Sequence, residues 1–398
     1  MDTDLILHFL NIPWVFILWT TFLKSFILLN LVLGVVSVTV YAERRVSAFI
    51  QDRVGPNRVG IPLTLFGGKK DIPFFGLGQM IADPIKLLTK ENFQPASVNG
   101  FYYWLAPKLV MIPPILVLAV LPFGSSLFGV QMTIADLNIG VLYIFAISSL
   151  SVYGITLAGW ASNSKFPFLG GIRSSSQMIS YELALGLSVV PVFMICGSLN
   201  LNAIVDWQVR NGWLVAPFWP SGFSVASLLH NPAEVIHSFI AGVSLQRVML
   251  WIPLMISFFI FVVAIFAETN RLPFDLPEAE QELVGGYHTE YASMNFALFF
   301  LGEYAAMFAG SGAIVSLFLG GWSCPLIPDG TTGFFWGLVN ILIFFAKVSM
   351  LLLFFIWVRW TLPRFRYDQL MRLGWLGFFP IALGNIFLTA LILAIIHR

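Results

Sequence analysis

Residues 248–267 read VMLWIPLMISFFIFVVAIFA, a run of 20 residues without a charged side chain. About 20 mostly apolar residues in a helix are enough to cross the hydrocarbon core of a bilayer. Gly310 and Gly312 interrupt one similar run, so we expect that span to be bent or partly unwound. In total the sequence predicts eight spans, at 14–40, 101–122, 138–160, 177–198, 248–267, 292–320, 334–358 and 376–396.

The composition agrees with this prediction. Of the 398 residues, 58% are hydrophobic and only 10% are charged, against about 45–50% and 25% in soluble domains. So few charges could not cover the surface of a soluble globule. We therefore predict an all-α polytopic membrane protein with one membrane domain over 1–398. A soluble enzyme and a nucleic-acid binder are excluded.

The basic residues predict the orientation. Of the 21 Lys and Arg, sixteen lie in or at the border of one set of alternating loops. Arg210, Arg247 and Arg398 lie in the other set, and Lys24 and Lys347 lie within spans. By the positive-inside rule the first set is cytoplasmic, and both termini face the outer, periplasmic side. The cytoplasmic loops are long and are expected to be ordered; they are 41–100, 161–176, 268–291 and 359–375.

Three loops are distinctive. The first cytoplasmic loop, 41–100, should contain an amphipathic helix, because Asp83 and Lys86 are spaced to share one helical face. The outer loop, 199–247, is long and should contain a short helix near 231–240. The loop 268–291 is acidic.

The sequence shows no site for a metal or a resident cofactor. Cys196 and Cys324 are the two cysteines, whereas an iron–sulfur cluster usually needs four thiolates. No histidine pair has metal-binding spacing, and no nucleotide-binding glycine motif follows a strand.

Several charged residues are candidates for function, each with a plainer interpretation. Glu43 and Arg44 end the first span, where arginines often serve only as anchors. The turn-rich loop that starts at Arg53 either is simply solvated or aims its arginines at a cavity. The acidic loop is either a solvated face or a cluster of carboxylates that hold protons near neutral pH.

Three of the charged residues within predicted spans are candidates for function, because charges inside the membrane are costly and usually functional. They are Glu182, Glu303 and Lys347. We predict that Lys347 pairs with Glu303, or that these residues are steps in a proton path.

Longer stretches of the chain resemble a known family, the H subunit of bacterial NADH:quinone oxidoreductase (respiratory complex I), which is the counterpart of mitochondrial subunit 1. The similar stretches cover the four cytoplasmic loops and most of 41–380. They are ERR at 43–45 with RVGPNRVG at 53–60, ADPIK at 82–86, GWASNSK at 159–165, the runs 173–182 and 267–282, and PRFRYDQ at 363–369.

The resemblance implies a membrane protein of the bacterial inner (plasma) membrane that forms much of a quinone chamber and couples quinone reduction to proton movement. It also implies that this chain carries no catalytic residue, and that FMN and iron–sulfur clusters sit on partner subunits. The implied partners are hydrophilic quinone-site subunits, small membrane subunits, the lipid bilayer and quinone. The implied chamber residues are Glu43, Arg44, Arg53, Asp83, Lys86 and Asp275. The implied proton path is Glu182, Glu268, Glu278, Glu280, Glu282, Glu290 and Glu303, to which we add Lys347.

Two alternatives stay open from the sequence. The first is the equivalent subunit of a membrane-bound hydrogenase, a formate hydrogenlyase or a ferredoxin-dependent complex. The second is a stand-alone cation/proton transporter. The stretches 63–75 and 199–247 look longer than the usual pattern of the family.

Overall fold

The computed structural model describes residues 13–60, 75–127, 130–216, 245–276, 284–324 and 333–396. A 3₁₀ turn lies at Gly286–His288, and a π-helical segment lies at Leu373–Phe378. Two short antiparallel strands, β1 (Ser126–Leu127) and β2 (Val130–Gln131), pair with Ser126 opposite Gln131. The helices are α1 (Pro13–Ile50), α2 (Gln79–Thr89), α3 (Gly100–Leu118), α4 (Gly140–Ser148), α5 (Leu150–Ala161), α6 (Lys165–Cys196), α7 (Leu201–Asn211), α8 (Leu245–Glu268), α9 (Ser293–Phe318), α10 (Phe334–Thr361), α11 (Tyr367–Arg372) and α12 (Phe379–Ile396).

Eight helical units within the described residues are long and apolar enough to cross a membrane. They are α1, α3, α4 with α5, α6, α8, α9, α10, and α11 with α12. The predicted number of spans is therefore confirmed, and the chain is a multi-pass, mostly helical membrane protein.

Three spans differ from the prediction by nine or more residues at one end, and one of them is the last span, which begins at Tyr367 and not at 376. Helix α1 runs to Ile50, so Glu43 and Arg44 lie on a helix and not in a loop. Helix α6 begins at Lys165, which makes most of the predicted loop 161–176 helical. Packing explains the early start of α6. A Cβ on Gly170 would lie 2.8 Å from the backbone nitrogen of Tyr287, so tertiary contact favours a helix that local hydropathy does not indicate.

The sixth span, α9, is one continuous helix, so the expected unwinding at its glycines was wrong. These glycines let neighbouring helices approach closely. A Cβ on Gly310 would lie 2.7 Å from Ile265 Cγ2, and one on Gly312 would lie 2.5 Å from Leu121 Cδ1. Close packing of this kind is a common use of small residues in membrane helices.

Helix α6 packs against α5, α8 and α12. On its core side Tyr181 is fully buried, and its hydroxyl donates to the carbonyl of Leu370 at 3.0 Å. The buried hydrophobic side chains form a large cluster that includes Tyr181 and a smaller one around Tyr103 and Phe299.

The loop 199–247, which was predicted to be outer, contains the helix α7, which the sequence analysis did not predict. Its N-terminal signal is Asn200, whose side chain accepts hydrogen bonds from the backbone of Asn202 and Ala203. The short helix predicted near 231–240 lies outside the described residues.

Candidate functional site

A cavity of about 800 Å³ lies between α1, α2, the start of α9 and the end of α10. Most of its wall is apolar and includes Val36, Leu87 and Phe300. The polar part of the wall comes mainly from the last turns of α1 and from α2. A pocket with mostly apolar walls and a few convergent polar groups is the usual form of a small-molecule site.

Four of the six predicted chamber residues line this cavity, namely Glu43, Arg44, Asp83 and Lys86. They come together because α1 continues past the predicted end of its span and α2 lies alongside it. Arg44 Nη2 lies 2.8 Å from Asp83 Oδ2, and Gln79 Nε2 donates to Asp83 Oδ1 at 2.5 Å. This ion pair joins α1 to α2 across the cavity.

The other two predicted chamber residues, Arg53 and Asp275, lie within the part of the chain that the structure describes, but they are not part of the cavity wall. Arg53 is exposed, and its Nε donates to Gln51 Oε1 at 2.7 Å. Asp275 is buried, and its Oδ2 lies 3.0 Å from Arg364 Nη2.

A buried ion network begins at the cavity wall. The carboxylate of Glu43 accepts hydrogen bonds from Arg359 Nη1 and, at 2.6 Å, from the hydroxyl of Tyr304. Arg271 Nη1 lies 3.5 Å from Glu43 Oε2, while Arg271 Nε lies 2.8 Å from Glu303 Oε1. The side chains of Arg271 and Glu43 are only 3% and 8% exposed. Two carboxylates thus compensate the charge of the buried Arg271 and of Arg359, which is 22% exposed at the cavity wall.

Sequence reasoning missed three members of this network, Arg271, Arg359 and Tyr304. Tyr304 is the uncharged one. It lines the cavity, and its ring lies beneath the Arg271 guanidinium, 4.3 Å from carbon Cζ to the ring centroid. The only sequence signal was its position directly after the intramembrane Glu303. One side chain therefore contacts both the cavity acid Glu43 and the arginine that pairs with Glu303.

Glu268 and Glu182 lie in a second region. Glu268 faces a small cavity of about 50 Å³ beside Ser148 and is close enough to Glu182 for their charges to interact.

Glu290 is half-buried and directly precedes Tyr291, which lines the large cavity. The backbone carbonyl of Glu290 accepts a hydrogen bond from the Tyr103 hydroxyl at 2.8 Å. Tyr103 and Tyr291 stack with ring centroids 4.2 Å apart, and burial raises the pKa of Tyr291 above its usual range. These contacts fix the backbone at Glu290 beside the cavity.

The predicted pair of Lys347 and Glu303 was wrong. Lys347 Nζ donates to the backbone carbonyls of Leu319, Gly321 and Ser323 at 2.6, 2.9 and 2.6 Å. It also lies 4.1 Å from the centroid of the Trp213 ring. These three carbonyls belong to the turn that follows the end of α9 at Phe318, so the lysine holds this turn, far along the chain from Glu303.

The remaining acids of the predicted proton path, Glu278, Glu280 and Glu282, lie outside the described residues.

Comparison with known proteins identifies the family. A family model described as NADH dehydrogenase matches residues 23–390. Subunit 8 of NADH-quinone oxidoreductase from Rhodothermus marinus is 46% identical over 94% of this chain and 97% of its own length. The H subunit of NADH-quinone oxidoreductase from Salinibacter ruber is 44% identical over 94% of this chain and 95% of its own length. The chain belongs to this family of NADH-quinone oxidoreductase membrane subunits.

Membership in this family settles the class of function. The chain is a membrane subunit of complex I, so it works as part of an oxidoreductase and not as a stand-alone catalyst. Its partners are other subunits of that complex, which carry the FMN and the iron–sulfur clusters. The alternative of a stand-alone transporter is therefore excluded.

Proposed function

We propose that the cavity between α1, α2, α9 and α10 admits a quinone from the bilayer and forms part of the chamber in which it is reduced. The observation that carries this proposal is the combination of one large, mostly apolar cavity with the buried ion network that begins on its wall at Glu43. The apolar wall suits an isoprenoid tail, while the Arg44–Asp83 pair offers hydrogen-bonding groups to a headgroup.

The ion network supports a coupling role. Any change in charge or hydrogen bonding near Glu43 alters the electrostatic potential at Arg271, because the two side chains are buried and adjacent. Arg271 in turn holds Glu303, which lies within a membrane-spanning helix. Quinone chemistry at the cavity can therefore change the proton affinity of acids inside the membrane. We propose that these acids, with Glu182, Glu268, Glu278, Glu280, Glu282 and Glu290, form the proton path.

We further propose that the chain lies in the bacterial inner membrane with both termini outside, as the distribution of basic residues indicates. In that orientation α2 and the last turns of α1 lie at the cytoplasmic surface, where a hydrophilic subunit with the terminal iron–sulfur cluster would complete the chamber. Small membrane subunits would cover part of the exposed apolar surface of the spans.

A matched pair of arginine substitutions tests the quinone site. In the assembled complex, Arg44→Ala should raise the apparent KM for a short-chain quinone about tenfold, since a charged hydrogen bond near the headgroup is worth about 1.5–3 kcal/mol. Arg53→Ala, which removes an exposed arginine outside the cavity wall, should leave this KM within about twofold, because it removes no such bond.

The reduction of a soluble acceptor by NADH is the control for assembly, since it needs no quinone site. An equal KM for the Arg44→Ala and Arg53→Ala complexes would contradict the assignment of this cavity.

A further inference from the structure

Gln177 is a buried amide on α6 that binds the turn after α8. Its side chain is fully buried, and its Nε2 donates to the backbone carbonyls of Ala267 at 2.8 Å and Phe274 at 2.7 Å. Asn270 Oδ1 also lies 3.2 Å from this nitrogen. All three acceptors are oxygens, so the amide nitrogen must face the turn, and its two hydrogens are shared among them. One side chain thus joins the end of α8 to the far side of the turn.

Arg271 lies between the two carbonyls that Gln177 binds. Asn270, which precedes it, has a left-handed backbone with a φ of +50°, a conformation that asparagine adopts more readily than most residues. The backbone nitrogen of Arg271 donates to the Phe266 carbonyl at 3.2 Å, and that of Phe274 donates to the Arg271 carbonyl at 2.8 Å. Arg271 is therefore part of a short turn that Gln177 closes from both sides.

The second half of this turn is also held by the segment after α10. The backbone nitrogen of Phe365 donates to the Pro273 carbonyl at 3.1 Å, and the ring centroids of Phe274 and Phe365 are 5.5 Å apart. These contacts hold the turn beyond Arg271. Gln177, in contrast, contacts the chain on both sides of the arginine, so it restricts the arginine's backbone most directly.

The place of Arg271 matters because its guanidinium compensates two buried carboxylates, those of Glu43 and Glu303. A displacement of about 1 Å, caused by a change far from the chemistry, can lower the rate of a reaction roughly a hundredfold. We propose that Gln177 is a positioning residue for the quinone-linked reaction, and that it acts through this turn to hold Arg271 between Glu43 and Glu303. Gln177 itself is not part of the wall of the large cavity. The inference rests on the coupling role proposed above for the ion network.

The first test removes the amide and keeps the length of the side chain. In the assembled complex, Gln177→Met should lower the kcat of quinone reduction about tenfold, or about 1.4 kcal/mol. The apparent KM for a short-chain quinone should stay within about twofold, because no group that lines the cavity is removed. Reduction of a soluble acceptor by NADH should be unchanged.

A second variant serves if the first does not assemble. Gln177→Glu keeps the shape of the side chain but retains at most one of its two donor hydrogens. Its kcat should therefore lie between those of the Gln177→Met and wild-type complexes. A wild-type kcat in either variant would overturn the proposal.

A density map of the variant complex tests the position of the arginine itself. Arg271 should be displaced, with its Nε beyond hydrogen-bonding distance of Glu303. A variant with a lowered kcat and with Arg271 in its wild-type place would also overturn the proposal.

Gln208→Met is the matched control, because it makes the same change at another buried glutamine. Gln208 Nε2 donates to the carbonyls of Ser316 and Leu317 at 2.9 and 3.2 Å, near the end of α9. This control should lower only the yield of the complex, so quinone reduction and soluble-acceptor reduction fall in parallel. A parallel fall in the Gln177→Met complex would make Gln177 merely structural and overturn the proposal. The Arg44→Ala experiment tests the quinone site through KM, so either result can fail without the other.

Discussion

Replacement of Tyr304 by Phe removes one atom from the junction between the cavity and the ion network. The hydroxyl donates to Glu43 Oε2 at 2.6 Å, while the ring lies beneath the Arg271 guanidinium. Tyr304→Phe therefore deletes the link to Glu43 and keeps the cation–π contact. Tyr304→Leu deletes both.

The expected loss follows from these contacts. A hydrogen bond to a charged group contributes about 1.5–3 kcal/mol. Glu43 keeps Arg359 and Arg271 as partners, so the loss should be near the lower limit. About 1.5 kcal/mol corresponds to roughly a tenfold fall in quinone-linked turnover. The quinone-linked turnover of the Tyr304→Leu complex should fall further, because this substitution also removes a desolvated cation–π contact worth about 2 kcal/mol.

The assay is the ratio of quinone reduction to soluble-acceptor reduction by the same NADH-driven complex. Tyr181→Phe is the matched control, because it also removes a buried hydroxyl, but one that donates to the neutral carbonyl of Leu370 outside the cavity. Its ratio should stay at the wild-type value. If Tyr304→Phe also keeps the wild-type ratio, Tyr304 does not connect the cavity to Glu43 in function.

Three further predictions concern the rest of the chain. Lys347→Met leaves the carbonyls of Leu319, Gly321 and Ser323, in the turn after α9, without their lysine donor, so the yield and apparent Tm of the complex should fall, with both activities reduced in parallel. Loss of pumping alone in a stable complex would assign Lys347 to the proton path instead. Replacement of residues 61–74 by a short Gly/Ser linker should keep both activities. The chain on either side of this segment is already in close contact, because the Gly60 carbonyl oxygen lies 2.7 Å from where a Cβ on Gly78 would lie. A selective loss of quinone reduction would show that the segment shapes the site. Substitution of Glu280 and Glu282 together by Gln should lower quinone-linked turnover but not soluble-acceptor reduction, whereas an equal loss of both would indicate failed assembly.

The number of spans could be predicted because a helix needs a minimum of about 20 mostly apolar residues to cross a bilayer. The ends of those helices could not, since packing decides them. Helix α6 starts at Lys165 because its glycines fit against neighbouring backbone, and hydropathy contains no record of that contact.

The site was predictable to a similar degree. Glu43, Arg44, Asp83 and Lys86 were identified through the family resemblance, and all four line one cavity. The partners of the buried charges were not predictable. The position of a residue along a helix gives its depth in the membrane, but it gives neither the direction in which the side chain points around the helix axis nor the offset between neighbouring helices. Leu319, which accepts from Lys347, directly follows the last residue of α9 and lies about 24 Å from Glu303 along the helix axis.

Arg271 shows the same limit. As a basic residue in a loop predicted to be cytoplasmic, it was counted only toward orientation, although its side chain is buried between Glu43 and Glu303. Its significance depends on the turn after α8, which brings it against α9, and a loop residue's tertiary neighbours cannot be read from local sequence.

The most direct test of the central claim is to locate quinone itself. A photoreactive quinone can be bound to the assembled complex, illuminated, and mapped to labelled peptides of this chain. We predict that label falls on α2 and on the first turns of α9, at positions such as Met80, Leu87 and Phe296, and that excess unlabelled quinone prevents it. Label that spares these segments and falls instead on helix faces outside the cavity would contradict the account.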